Sequence, residues 1–177
     1  MVKYICLMSF LFVGCYGFLR GTDEPLTMKK QYNLTNSFNL NGYYYHKDST
    51  TNSYRITFYY ANGAFIRVSG GKINLSLLEL DEELYRDTAY INSSKLSKDN
   101  WGLYQLKSDK ILIQGWNCGY YCAVFNQIGK IINRDSIILE DTEYKNGSSK
   151  TFIGNFKFRQ FDYKPDSTKV EIYLKPK

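Results

Sequence analysis

The residues of this chain with the sharpest chemistry are four cysteines and one histidine: Cys6, Cys15, His46, Cys118 and Cys122. A zinc site needs about four ligands at suitable spacing, and two thiols with one distant imidazole fall short of that. Cys118 and Cys122 are three residues apart, wider than the two-residue spacing of redox catalysts, and no helix start accompanies them. The run Trp116-Asn117-Cys118-Gly119-Tyr120-Tyr121-Cys122 puts Asn and Gly between two apolar stretches, as a β-turn region does. A disulfide there would staple a hairpin end, and its loop is so short that it contributes only about 2 kcal/mol. Free thiols and a chemically active pair are the alternatives.

A hydrolytic triad would have His46 as its one candidate base. His46 stands beside Lys47 and Asp48 at the end of an apolar run, where a loop histidine is expected. No nucleophile elbow, phosphate-cradling glycine loop or zinc-protease helix motif occurs in the sequence. Glycosidase carboxylates are defined by their separation in space, and no pair stands out. The expectation is a protein that is not an enzyme, with no catalytic residues, no metal ligands and no cofactor.

The first fifteen residues carry a different kind of chemistry. Lys3 precedes an uncharged, mostly apolar stretch from Tyr4 to Gly14, the length of a signal-peptide core and too short to span a bilayer as a helix. Its end, Leu11-Phe12-Val13-Gly14-Cys15, resembles the lipobox of bacterial lipoproteins, with Phe in place of the usual Leu. The resemblance implies a signal peptide over 1–14 and lipid attachment at Cys15, with acyl chains such as palmitate holding the protein at a membrane. Removing the leader deletes Cys6, and acylation consumes Cys15. Cys118 and Cys122 then remain as one pair in an envelope compartment that permits disulfides. The expected location is the cell envelope, lipid-anchored, with the outer membrane as the expected site.

The elements that follow are read from composition and pattern. Aromatic residues make up 17% of the 177, including 17 Tyr, a bias toward half-buried pleated surfaces. The formal charge is +6, but the basic residues (Arg55, Arg67, Lys95 and Lys130 among them) are scattered. That suits a dispersed surface and not the basic stripe of a nucleic-acid reader. Residues 15–39 are polar and aperiodic and read as a flexible tether, so a single β domain is expected over 40–177. Strand signals cover Gly42–His46, Ser53–Tyr60, Ala64–Ser69, Trp101–Lys107, Lys110–Trp116, Tyr120–Ile128 with Ile131–Ile132, Ser136–Tyr144, Lys150–Phe161 and Val170–Leu174. In Ser53–Tyr60, Tyr54, Ile56 and Phe58 share one face, with Arg55 and Thr57 on the other. Ala61-Asn62-Gly63 reads as a hairpin turn. Ser76-Leu77-Leu78-Glu79 reads as a capping box opening the one helix, expected over 76–91. Asp81, Glu82 and Glu83 fall where solvated acidic residues suit a helix start. Consecutive hairpins of about eight or nine strands suggest an all-β, up-and-down antiparallel barrel.

Leu40-Asn41-Gly42-Tyr43-Tyr44-Tyr45, the Asn62-Gly63 hairpin, Asn100-Trp101-Gly102 followed by Asp109-Lys110-Ile111, and Lys164-Pro165-Asp166-Ser167-Thr168 resemble small, largely uncharacterised lipocalin-like lipoproteins of Bacteroidetes-type bacteria. True lipocalins carry Gly-x-Trp at the first strand, and here Tyr44 takes the tryptophan position. The resemblance implies a calyx-like barrel with an internal cavity but assigns no ligand-binding residue. The expected function is binding of a small apolar or amphipathic molecule in that barrel. The alternative is a structural or protein-interaction component of the envelope without a cavity.

Overall fold

The computed structural model describes residues 23–33, 36–69, 74–86, 94–144, 147–151, 153–167 and 170–174. Cys15 and the leader lie outside the described residues, as do residues 87–93 at the expected end of the helix.

Nine strands form one antiparallel sheet: β1 (Gly42–Asp48), β2 (Ser53–Tyr59), β3 (Ala64–Ser69), β4 (Trp101–Lys107), β5 (Lys110–Cys118), β6 (Cys122–Asn133), β7 (Ser136–Tyr144), β8 (Ser149–Lys150) and β9 (Gly154–Gln160). Strands β1 to β7 each pair antiparallel with the next in chain order, with a helix intervening between β3 and β4, and β9 pairs with both β7 and β1. The result is a closed eight-strand barrel of the up-and-down kind, with β8 as an extra short strand. Closure pairs every long edge and leaves none for association.

Alternation along each strand divides the aromatic residues between two cores. One cluster takes Tyr44, Tyr59, Phe65, Tyr104, Ile113, Phe125, Leu139 and Phe156, and with its other members it draws on all eight barrel strands. It is the barrel interior. The second takes Tyr43, Tyr54, Ile56, Phe58, Ile66, Val68, Trp101 and Trp116 on the outer side, together with Leu80 and Leu84 of the helix α1 (Leu77–Arg86). Both faces of β2 and β3 are therefore buried, one in the lumen and one beneath the helix.

Helix α1 begins as the capping box requires. Ser76 N–H donates to Glu79 Oε2 at 2.7 Å, and Glu79 N–H donates to Ser76 Oγ at 3.3 Å. Asp81 differs from the solvated role expected of it. Its carboxylate accepts from Tyr43 Oη at 2.6 Å and Arg159 Nε at 2.7 Å, and it also pairs with Arg159 Nη2, clamping α1 to β1 and β9.

Three further expectations need correction. The expected strands Tyr120–Ile128 and Ile131–Ile132 are one strand, β6, which begins at Cys122 and stays continuous through two register shifts against β7. The expected Lys150–Phe161 strand is broken into β8 and β9, which pair in turn with the two ends of β7. Val170–Leu174 is a five-residue helix, α2, with Tyr173 and Leu174 packed on the outer core. A run that short satisfies either period, and docking decides it.

The described part of the expected tether is also part of the fold. Trp116 Nε1 donates to Glu24 O at 2.8 Å, Gln114 Oε1 accepts from Thr27 N and Met28 N at 2.7 Å each, and Phe38 is 2% exposed inside the barrel. The polar residues of this stretch act by hydrogen-bonding to side chains on the outer face of β5, which hydropathy patterning does not register.

Candidate functional site

The two ends of the lumen differ. At the end formed by the start of β1, the end of β2 and the start of β3, aromatic rings fill the space. Phe38 stacks on Tyr44 with ring centres 4.7 Å apart, and Tyr59 meets Tyr104 edge-on at 4.9 Å. Tyr44 Oη donates to Arg134 O at 2.8 Å and Tyr104 Oη donates to Tyr60 O at 2.8 Å. Burial raises the pKa of Tyr44, Tyr59 and Tyr104 well above the ordinary tyrosine value. Lys164 closes this end from outside. Its ammonium donates to Leu40 O at 2.7 Å and to Tyr59 O, and lies 4.4 Å from the centre of the Tyr60 ring. Burial lowers its pKa to about 8. Tyr60 Oη donates to Pro165 O at 2.7 Å, and Asn62 Nδ2 donates to Ser167 Oγ at 3.1 Å. The Lys164–Ser167 segment and the Asn62-Gly63 turn are thus joined as structural closure.

A single row of paired positions crosses the sheet obliquely, from the last residue of β2 at the packed end to the last of β7 at the other: Tyr59, Phe65, Gly102, Gly115, Phe125 and Tyr144. The two glycines make room for the rings beside them. A Cβ on Gly102 would lie 2.5 Å from the Phe65 ring, and one on Gly115 would lie 2.7 Å from the Phe125 ring. Phe65 and Phe125 therefore pack over bare backbone, Phe65 toward the packed end and Phe125 toward the other.

The rest of the lumen is not filled. A cavity of about 480 Å³ opens there, with Thr57, Gln127, Leu139 and Phe156 among its walls, Arg55, Asn117 and Thr142 toward the strand ends, and Asp99, Asn100 and the outer-core Trp116 at its margin. Arg67 lines it. It follows Phe65 by two residues on β3, so alternation turns it into the lumen opposite Thr57. Its guanidinium carbon lies 4.4 Å from the Phe125 ring centre and 5.2 Å from that of Phe65. Nη2 donates to Gln127 Oε1 at 3.3 Å, while Gln127 Nε2 donates to Glu140 O at 2.9 Å and so keeps its oxygen turned to the arginine.

Among the described residues, no carboxylate lies within ion-pair distance of Arg67. Desolvation is the main influence on it and pushes its pKa down. A buried unpaired cation costs several kcal/mol, and each ring contact returns about 2 kcal/mol when desolvated. A guanidinium has five N–H donors in a fixed fork, and Gln127 occupies one. No buried side-chain nitrogen or oxygen among the described residues lacks a partner. The remaining nitrogens of Arg67 therefore face open space, and the open space beside them is the cavity. Arg55, near the rim, differs: its Nη2 lies 3.4 Å from Asp48 Oδ2, and that pair is partly exposed.

A second hollow of about 580 Å³ lies on the outer surface between Tyr85 and Gln160–Tyr163. It holds no oriented, desolvated charge, and the lumen is the better candidate.

The sequence-predicted site residues fall elsewhere. Cys118 and Cys122 form the expected disulfide, pairing across the β5–β6 end with Cα atoms 4.0 Å apart. His46 lies within β1, not in a loop; its Nδ1 is 3.1 Å from Asn155 O, and its ring is 5.4 Å from that of Phe156. Arg67, read from the sequence as one of many surface charges, is the principal polar group of the lumen. The available signal was the order Phe65-Ile66-Arg67-Val68, which sets an arginine on the same face as a phenylalanine in a strand bounded by apolar neighbours. Among the described residues no group of three or more His, Cys, Asp and Glu side chains could hold a metal ion. Comparison of the chain with protein-family models, with curated proteins and with solved structures found no match.

Proposed function

We propose that the protein is a non-enzymatic envelope lipoprotein, anchored through acylated Cys15, whose barrel holds a small amphipathic molecule in its hollow half. The observation that carries this reading is the half-filled lumen. One end is packed with aromatic rings, and the other retains about 480 Å³ of space, within the range of about 300–1,000 Å³ usual for small-molecule sites. The lining supplies a fixed positive charge, hydrogen-bonding groups and apolar walls, which are means of holding a molecule. The lipobox-like end at Cys15 supports the anchor, and the disulfide fits an oxidising compartment.

Native mass spectrometry of the protein, purified from its host in mild detergent, tests both parts. The expected result is a mass increment at Cys15 from acylation and a second, dissociable small molecule. An unmodified Cys15 with the leader attached would overturn the anchor, and a ligand-free barrel that takes up no amphiphile would overturn the binding role. A protein-interaction role draws on Ile128 and Ile132, 48% exposed each on the outer side of β6. It predicts specific cross-links through that face.

A further inference from the structure

We propose that the molecule held in the lumen is an anionic amphiphile, a carboxylate with an apolar tail, its head bound on Arg67. The inference rests on the binding role above and names its ligand class. Three observations converge on it. The guanidinium is desolvated and, among the described residues, has no carboxylate partner. Its free N–H groups face the cavity, because Gln127 takes one donor and no buried nitrogen is left unbonded. Its guanidinium packs against Phe125 and Phe65, whose rings take the space left because Gly102 and Gly115 bear no side chain. A planar fork held against two rings matches the two oxygens of a carboxylate. Leu139 and Phe156 line the same cavity and give the tail apolar surface.

The cation nearer the rim differs. Arg55 there is paired with Asp48, whose carboxylate also accepts from Thr50 N at 2.9 Å and Thr51 N at 3.2 Å. Its charge is answered within the protein, whereas that of Arg67 is not. An anion entering the barrel finds its unmet partner in Arg67.

Titration calorimetry of the intact mature domain with decanoate, decyl phosphate and decanamide tests the proposal. Decanoate is expected to bind about 10- to 100-fold more tightly than decanamide, the worth of a charge-assisted bond to a desolvated cation. Arg67→Met should abolish that preference while leaving the unfolding transition cooperative. Arg67→Lys, which keeps the charge and loses the fork, should retain part of it. A preference for decyl phosphate over decanoate would replace the carboxylate by a phosphate head and overturn the class. Equal binding of decanoate and decanamide would overturn the anion while leaving the binding barrel intact, and binding of none of the three would remove both. An unchanged preference in Arg67→Met would overturn the assignment to Arg67.

Discussion

The two halves of this barrel share strands, and both are rich in aromatic residues, yet they spend them differently. At the packed end, Phe38, Tyr44, Tyr59 and Tyr104 fill the lumen and send their hydroxyls to backbone carbonyls. In the hollow half, the rings of Phe65 and Phe125 pack over glycine and against a cation that borders empty space. The packed half has its polar atoms satisfied by the protein. The hollow half keeps donors in reserve, and that difference separates a stabilising core from a site.

Alkaline pH should separate the halves most strongly. The pKa values of Tyr44, Tyr59 and Tyr104 are raised by burial, so the folded state keeps protons that the unfolded chain releases near pH 10. Their contribution is fully present below pH 10 and is lost as pH rises above it. Each group costs about 1.4 kcal/mol per pH unit, so the three should cost about 4 kcal/mol per unit. Urea midpoints measured between pH 9 and 11 should fall steeply, and less so in Tyr59→Phe.

Truncating one ring in each half is the next contrast. Phe38→Ala empties a filled end and should cost about 3–5 kcal/mol in denaturant titrations. Phe156→Ala enlarges a space that already exists and should cost about 2 kcal/mol, the transfer contribution alone. Equal losses would mean the hollow half is filled in solution. Replacing Cys118 and Cys122 together by Ser should cost about 2 kcal/mol, the value for so short a loop, with amphiphile binding unchanged. Smallest is the effect of Arg67→Met on the ligand-free protein, a gain of about 1 kcal/mol as an unpaired charge leaves the interior. A large loss there would make Arg67 structural.

The barrel was legible in the sequence because most hairpins announce themselves: Asn62-Gly63 between apolar runs, Ser108-Asp109 between β4 and β5, and strict alternation in Ser53–Tyr59. The capping box at Ser76–Glu79 was legible for the same reason, since it is local. The docked segment around Glu24–Phe38 was not. Its stability comes from Gln114, Trp116 and Tyr104, some seventy to ninety residues away in the chain. Arg67 was hidden by a different cause. Its neighbours on β3 show which face it shares, but whether that face is lumen or surface follows only from closure of the sheet, and the glycines that place its supporting rings sit on other strands.

A crystal structure of the protein soaked with decanoate tests the central claim most directly. The account predicts both carboxylate oxygens within about 2.8 Å of Arg67 nitrogens, with the tail against Leu139 and Phe156. A carboxylate left at the rim on Arg55, with the tail pointing inward over an unoccupied Arg67, would contradict it.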